Sequence, residues 1–121
     1  MARRLRLVFV AALLLMAGLS AGAQEQAPNR RDFTIVARDY HFTPDRIEVS
    51  QDDIVRIHLQ SDDVPHSFAI DAYRILKRVS GGQTITFEFR ADQPGTFTFY
   101  CSLTSDPRCQ DMKGTLVVRP R

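Results

Sequence analysis

From Phe33 onward the chain runs in short segments where apolar and polar residues alternate with a period of two. That period belongs to strands burying one face. Residues 33–37 form the first predicted strand, and 47–49 follow a turn at Thr43-Pro44-Asp45. Over 54–59 the alternation turns Val55, Ile57 and Leu59 to one side and His58 to the other. Residues 67–70, 84–89, 96–101 and 114–118 continue the series, with turns at Gly81-Gly82 and Pro94-Gly95. Phe87, Phe89, Phe97 and Phe99 read as core packing on alternating strands, and 73–79 reads as an irregular connection. Short strands at regular spacing without a long helix predict an all-β fold, a Greek-key β-sandwich of about seven to eight strands.

The first residues follow another pattern. Arg3, Arg4 and Arg6 precede an apolar run over 7–19, and Ala21-Gly22-Ala23 places small residues where a signal peptidase reads. Residues 1–23 are therefore expected to be a signal peptide, 24–32 a flexible linker and 33–121 the folded domain. No later run is apolar enough for a stable membrane span once the signal is cleaved, and the expected location is periplasmic or secreted. Without the three signal arginines, 13 Lys and Arg face 14 Asp and Glu, so the mature chain is close to neutral. No basic stripe interleaved with aromatics appears, which argues against a nucleic-acid partner.

Export changes the reading of Cys101 and Cys109. Outside the cytoplasm an even pair is first a disulfide, and this nine-residue loop would stabilise the domain by about 2.5 kcal/mol. The competing reading groups His66, Cys101, Cys109 and Met112 as one imidazole, two thiols and one thioether, soft donors that select copper. Asp106-Pro107 between the cysteines favours a turn that serves either outcome. Asp62-Asp63 reads as shaping the turn into the strand that follows, and His41 and His58 read as surface residues. No nucleophile has a His at motif spacing and no carboxylate pair lies in an apolar setting, so the chain is not expected to be an enzyme.

Several segments carry a family resemblance: Phe42-Thr43-Pro44, Val64-Pro65-His66-Ser67-Phe68, Pro94-Gly95-Thr96-Phe97, Phe99-Tyr100-Cys101 and Met112-Lys113-Gly114-Thr115-Leu116-Val117-Val118. Through them residues 33–119 resemble the cupredoxins, in particular the copper domain of cytochrome oxidase subunit II and the small cupredoxin-like domain of bacterial iron-uptake lipoproteins. The resemblance implies copper, Cu(I) or Cu(II), with His66 as the upstream imidazole, Cys101 as the thiolate and Met112 as the axial donor. The blue-copper loop carries a His between its Cys and Met, and no His follows His66 here. The oxidase loop reads C-x3-C-x3-H-x2-M. This chain keeps the spacing of Cys101 and Met112 but has Ser105 at the second Cys and Cys109 at the His. Leu103 stands where the oxidase domain offers a backbone carbonyl, and Asp52 stands where the family usually places a turn Gly.

The resulting expectation is electron transfer or Cu(I) binding and delivery with a redox or copper-trafficking protein partner. The alternative is a metal-free, disulfide-stapled interaction module of the cell envelope.

Overall fold

The computed structural model describes residues 29–121. The expected signal peptide at 1–23 and the first part of the expected linker lie outside these residues. Nine strands follow in chain order: β1 (Arg30–Arg38), β2 (His41–Thr43), β3 (Arg46–Ser50), β4 (Ile54–Ser61), β5 (His66–Ile70), β6 (Ile75–Val79), β7 (Thr84–Arg90), β8 (Gly95–Tyr100) and β9 (Lys113–Arg119). One sheet has the order β2-β1-β4-β7 and the other β3-β9-β8-β5-β6. The all-β sandwich is as expected.

Two stretches differ from the sequence expectation. Arg30 to Asp32, expected in the linker, belong to β1 and pair in parallel with Ile54 to Arg56. Backbone pairing with the buried β4 extends the strand through residues that carry no apolar pattern, and Arg30–Glu88 and Arg31–Asp53 ion pairs hold their side chains. Residues 73–79 are not an irregular connection. A 3₁₀ turn at Asp71–Tyr73 leads into β6, which pairs antiparallel with β5 in the register His66↔Val79 to Ile70↔Ile75. Every residue of β5 is buried, so its backbone needs a partner on both sides, and β6 supplies one of them.

The core lies between the sheets. Val55, Ile57 and Leu59 of β4 point inward and are fully buried, as the alternation predicted. The Phe68 and Phe99 rings of the opposite sheet stack at 4.9 Å, and Phe42 meets both edge-on at 5.8 and 5.3 Å. Each buried ring of this kind stabilises the fold by roughly 1.5–3 kcal/mol. Phe89 and Phe97 are only partly buried and pack around Tyr73 at the sandwich flank.

Two backbone positions fix the chain's path. Asp52, between β3 and β4, has φ of 70°, a left-handed conformation that Asp tolerates better than most residues. Gly114 packs so closely that an added Cβ would lie 2.1 Å from the Phe99 ring and 2.7 Å from the Asp45 carbonyl oxygen. His58 sits on the outer face of β4 with Nδ1 2.9 Å from Thr86 Oγ1, and His41 is exposed on β2.

Candidate metal centre

The four residues singled out by their chemistry come from the strand edges at one end of the sandwich. His66 opens β5, Cys101 directly follows β8, Cys109 sits in a 3₁₀ turn at Pro107–Asp111, and Met112 precedes β9. All four are buried, none more than 1% exposed. Backbone bonds tie the loop together: Cys101 N–H donates to the Met112 carbonyl at 3.1 Å, Met112 N–H to Cys109 at 3.1 Å, and Cys109 N–H to Asp106 at 3.1 Å.

Cys101 and Cys109 are joined in a disulfide with their Cα atoms 5.2 Å apart. This form offers no thiolate, and among the described residues no three His, Cys, Asp or Glu side chains gather into a metal-binding group. Its oxidised state matches the stapled alternative rather than the four-donor set. The four-donor set needs the bond reduced.

Whether these residues suit a copper ion turns on His66. Its Nε2 lies 2.7 Å from Asp63 Oδ1, while Nδ1 is buried with no hydrogen-bond partner. A buried polar atom left unpaired costs about 1–3 kcal/mol, so a bare ring nitrogen here calls for a partner. With Nε2–H donating to the carboxylate, the tautomer leaves the lone pair on Nδ1. Metal-binding imidazoles are commonly held this way, through the second ring nitrogen. Asp63 is well suited to the task. Its partial burial pushes its pKa up, but N–H donors from Asp39 and Val64 and the His66 ring outweigh that and hold it down at about 2. It therefore stays a carboxylate.

The Cys101 sulfur also has donors aimed at it. Ser67 N–H lies 3.4 Å from Sγ and Ser67 Oγ 3.6 Å, and Ser67 Oγ accepts from the Ser102 N–H at 2.6 Å. Hydrogen bonds to sulfur favour the thiolate once the disulfide opens. An open concavity of about 370 Å³, lined by Tyr100, Cys101, Ser102, Leu103, Thr104 and Gln110, reaches this end from solvent. Leu103, half-buried, is part of its wall.

Sequence reasoning missed one further residue. Tyr40, at φ of 60° in the β1–β2 turn, sets its ring edge-on to His66 at 5.6 Å. Its hydroxyl bonds to the Asp106 carboxylate and accepts from Arg108 at 2.9 Å, while the Arg108 guanidinium lies 4.1 Å above the ring. The Asp106 bond raises the Tyr40 pKa and lowers that of Asp106. Tyr40 thus clamps the Cys109 loop over His66. No spacing signal in the sequence links residues 40 and 106. Asp63 was readable as a turn former, but its bond to His66 was not.

The sequence model of the cupredoxin-like domain matches residues 7–118. The chain is 27% identical over 95 residues to a cytochrome c oxidase subunit 2 from Thermus thermophilus, covering 78% of this chain and 70% of that protein. A second subunit 2 from the same species matches at the same identity with only 56% of its length covered. Among solved structures, a heme-copper terminal oxidase dimer is similar with a TM-score of 0.69 at 20% identity, covering 79% of this chain and 68% of that one. Auracyanin A, a blue copper protein from Chloroflexus aurantiacus, has a TM-score of 0.64 at 16% identity, covering 75% of this chain and all of that one. The two-sheet fold and the match over most of the length agree, and the chain belongs to the cupredoxin-like domain family.

Proposed function

We propose that this is an exported copper-binding protein, not an enzyme, whose site is held closed as a disulfide and opens on reduction. The observation that carries the reading is the buried, unpaired Nδ1 of His66 with its Nε2 fixed by Asp63. Reduction by a dithiol breaks the Cys101–Cys109 bond, taking up two electrons and two protons as the dithiol becomes a disulfide. Each freed thiol gives up a proton on ligation, and the set becomes one imidazole, two thiolates and the Met112 thioether. Bound copper would supply one-electron chemistry between Cu(I) and Cu(II), and a donor set this rich in sulfur favours Cu(I). Ser67 stabilises the Cys101 thiolate, Asp63 orients His66, and Tyr40 covers the ring from solvent. A protein that hands Cu(I) to, or exchanges electrons with, a partner outside the cytoplasm is the role this chemistry fits best. The basic, apolar and small-residue order of the N-terminus supports export.

The test is copper per chain before and after treatment with dithiothreitol, with absorption and EPR spectra of the loaded protein. One copper per reduced chain and none in the disulfide form is expected. Cu(I) without an intense visible band supports delivery, and such a band with reversible redox supports electron transfer. Failure of the reduced chain to bind copper, or binding unchanged in both His66→Ala and Cys109→Ser, overturns the proposal. The disulfide itself favours a second reading, a metal-free stapled interaction module, and that reading stands if the reduced chain stays empty.

A further inference from the structure

The outer edge of the five-stranded sheet carries a feature unrelated to packing. From Ala72 to Phe87 the sequence has three cations, Arg74, Lys77 and Arg78, and no carboxylate. Among the described residues none of the three sits in an ion pair, although several arginines elsewhere on the surface do. The carboxylates that flank this stretch, Asp71 and Glu88, are occupied by the Tyr100 hydroxyl and by Arg30 and Arg56. Lys77 lies with its ammonium 5.7 Å from the Phe87 ring, alongside the inward positions of β6. Leu76 and Arg78 alternate with it on the outer face, and Leu76, 66% exposed, is the most exposed large apolar side chain among the described residues. β6 is the last strand of its sheet, so one side of its backbone has no strand partner.

Edge strands often carry charge simply to discourage pairing. That function explains Lys77 and Arg78 but not a leucine presented between Arg74 and Arg78. We propose that β6 is the docking edge for an acidic, extended segment of a partner protein, which adds to the sheet alongside β6. Its carboxylates meet Arg74 and Arg78, and an apolar residue covers Leu76. Backbone bonds supply affinity in such strand addition, while the side chains choose the partner. A second copy of this chain is disfavoured there, because antiparallel pairing of two full β6 strands sets Lys77 against Lys77. A lipid surface is disfavoured as well, since a single exposed leucine gives little area to insert.

The position gives the contact a purpose. Arg78 is directly across from Ser67, whose N–H points to the Cys101 sulfur at 3.4 Å. With strands about 4.8 Å apart, the docked segment lies about three strand spacings from β8, whose end carries that sulfur. Its role as a transfer face rests on the copper reading, but the binding does not.

The test uses the copper-free disulfide form of the protein, labelled with 15N, titrated with a synthetic ten-residue peptide of alternating Glu and Val. Amide shifts confined to β6 and β5 are expected. Affinity should fall at least tenfold in Arg74→Glu/Arg78→Glu, fall in Leu76→Ser, and weaken with added salt. The variants' spectra away from β6 check that they remain folded. Shifts elsewhere on the domain, affinity unchanged in the double variant, or binding to phosphatidylglycerol–phosphatidylcholine vesicles but not to the peptide would each overturn the proposal. Copper loading can fail while this binding persists, and the reverse, so the two readings fall separately.

Discussion

The Ser67 backbone N–H points at the Cys101 sulfur across 3.4 Å, joining the strand that begins with His66 to the one that ends at the disulfide. Ser67 Oγ adds a second, longer contact to the same sulfur and holds the Ser102 N–H. Ser67→Ala keeps the backbone donor and removes the hydroxyl. It is expected to cost about 1 kcal/mol of stability and, in the reduced protein, to slow alkylation of Cys101. Chemical denaturation and the pH dependence of iodoacetamide alkylation measure the two effects.

Loss of the disulfide should be felt in the fold before it is felt in function. Cys101→Ser and Cys109→Ser are each expected to destabilise the domain by about 2–3 kcal/mol through the freed nine-residue loop. Thermal unfolding under oxidising and reducing conditions checks this. The wild-type transition should fall on reduction toward those of the variants, whose own transitions should not move.

Asp63 makes stability depend on pH in the acid range. Its folded pKa, about 2, lies below the ordinary 3.8, so the unfolded chain binds the proton more readily. The contribution is fully present above roughly pH 4 and is lost as pH falls toward 2, so stability rises with pH across that window. Asp63→Asn should flatten the slope of melting temperature against pH there. An unchanged slope would remove Asp63 from the set of charged partners around His66.

Gly114 leaves no room for a side chain. Gly114→Ala pushes a methyl into the Phe99 ring and the Asp45 carbonyl, and a loss on the order of 1–3 kcal/mol is expected from overpacking. Gly82, in the β6–β7 turn at φ of 72°, has open space around its Cα. Gly82→Ala should therefore cost only its backbone strain, on the order of 1 kcal/mol. Comparing the two by denaturant titration separates steric from conformational cost.

Much of the sandwich was legible because its inward positions obey the two-residue period. Val55, Ile57 and Leu59 face the core for that reason. β6 was not legible, since Ile75-Leu76-Lys77-Arg78-Val79 puts a charged Lys77 at its middle inward position and a leucine outward, which breaks the alternation. The N-terminal extension of β1 was hidden for a related reason: Arg30 to Asp32 are ordered by backbone pairing, which is indifferent to side-chain type. At the site, donor chemistry and spacing picked out four buried residues, two of which are joined to each other. The sequence leaves that bond open between two readings, because an even Cys pair behind an expected export signal fits both. Tyr40 could not be found from the sequence, since its contact with residues 106 and 108 depends on how two distant loops meet.

The ends of the loop from Cys101 to Met112 meet in backbone bonds, Cys101 N–H to the Met112 carbonyl and Met112 N–H to the Cys109 carbonyl, beside the Cys101–Cys109 disulfide. Asp106 and Arg108 are tied to Tyr40, whereas the exposed Thr104 and Ser105 side chains take no part in these joints. Thr104 and Ser105 are the exchangeable part of the loop, where other side chains can enter while the strands on either side keep their register. The chemistry at the mouth of the loop can then change by short steps that each leave a folded protein.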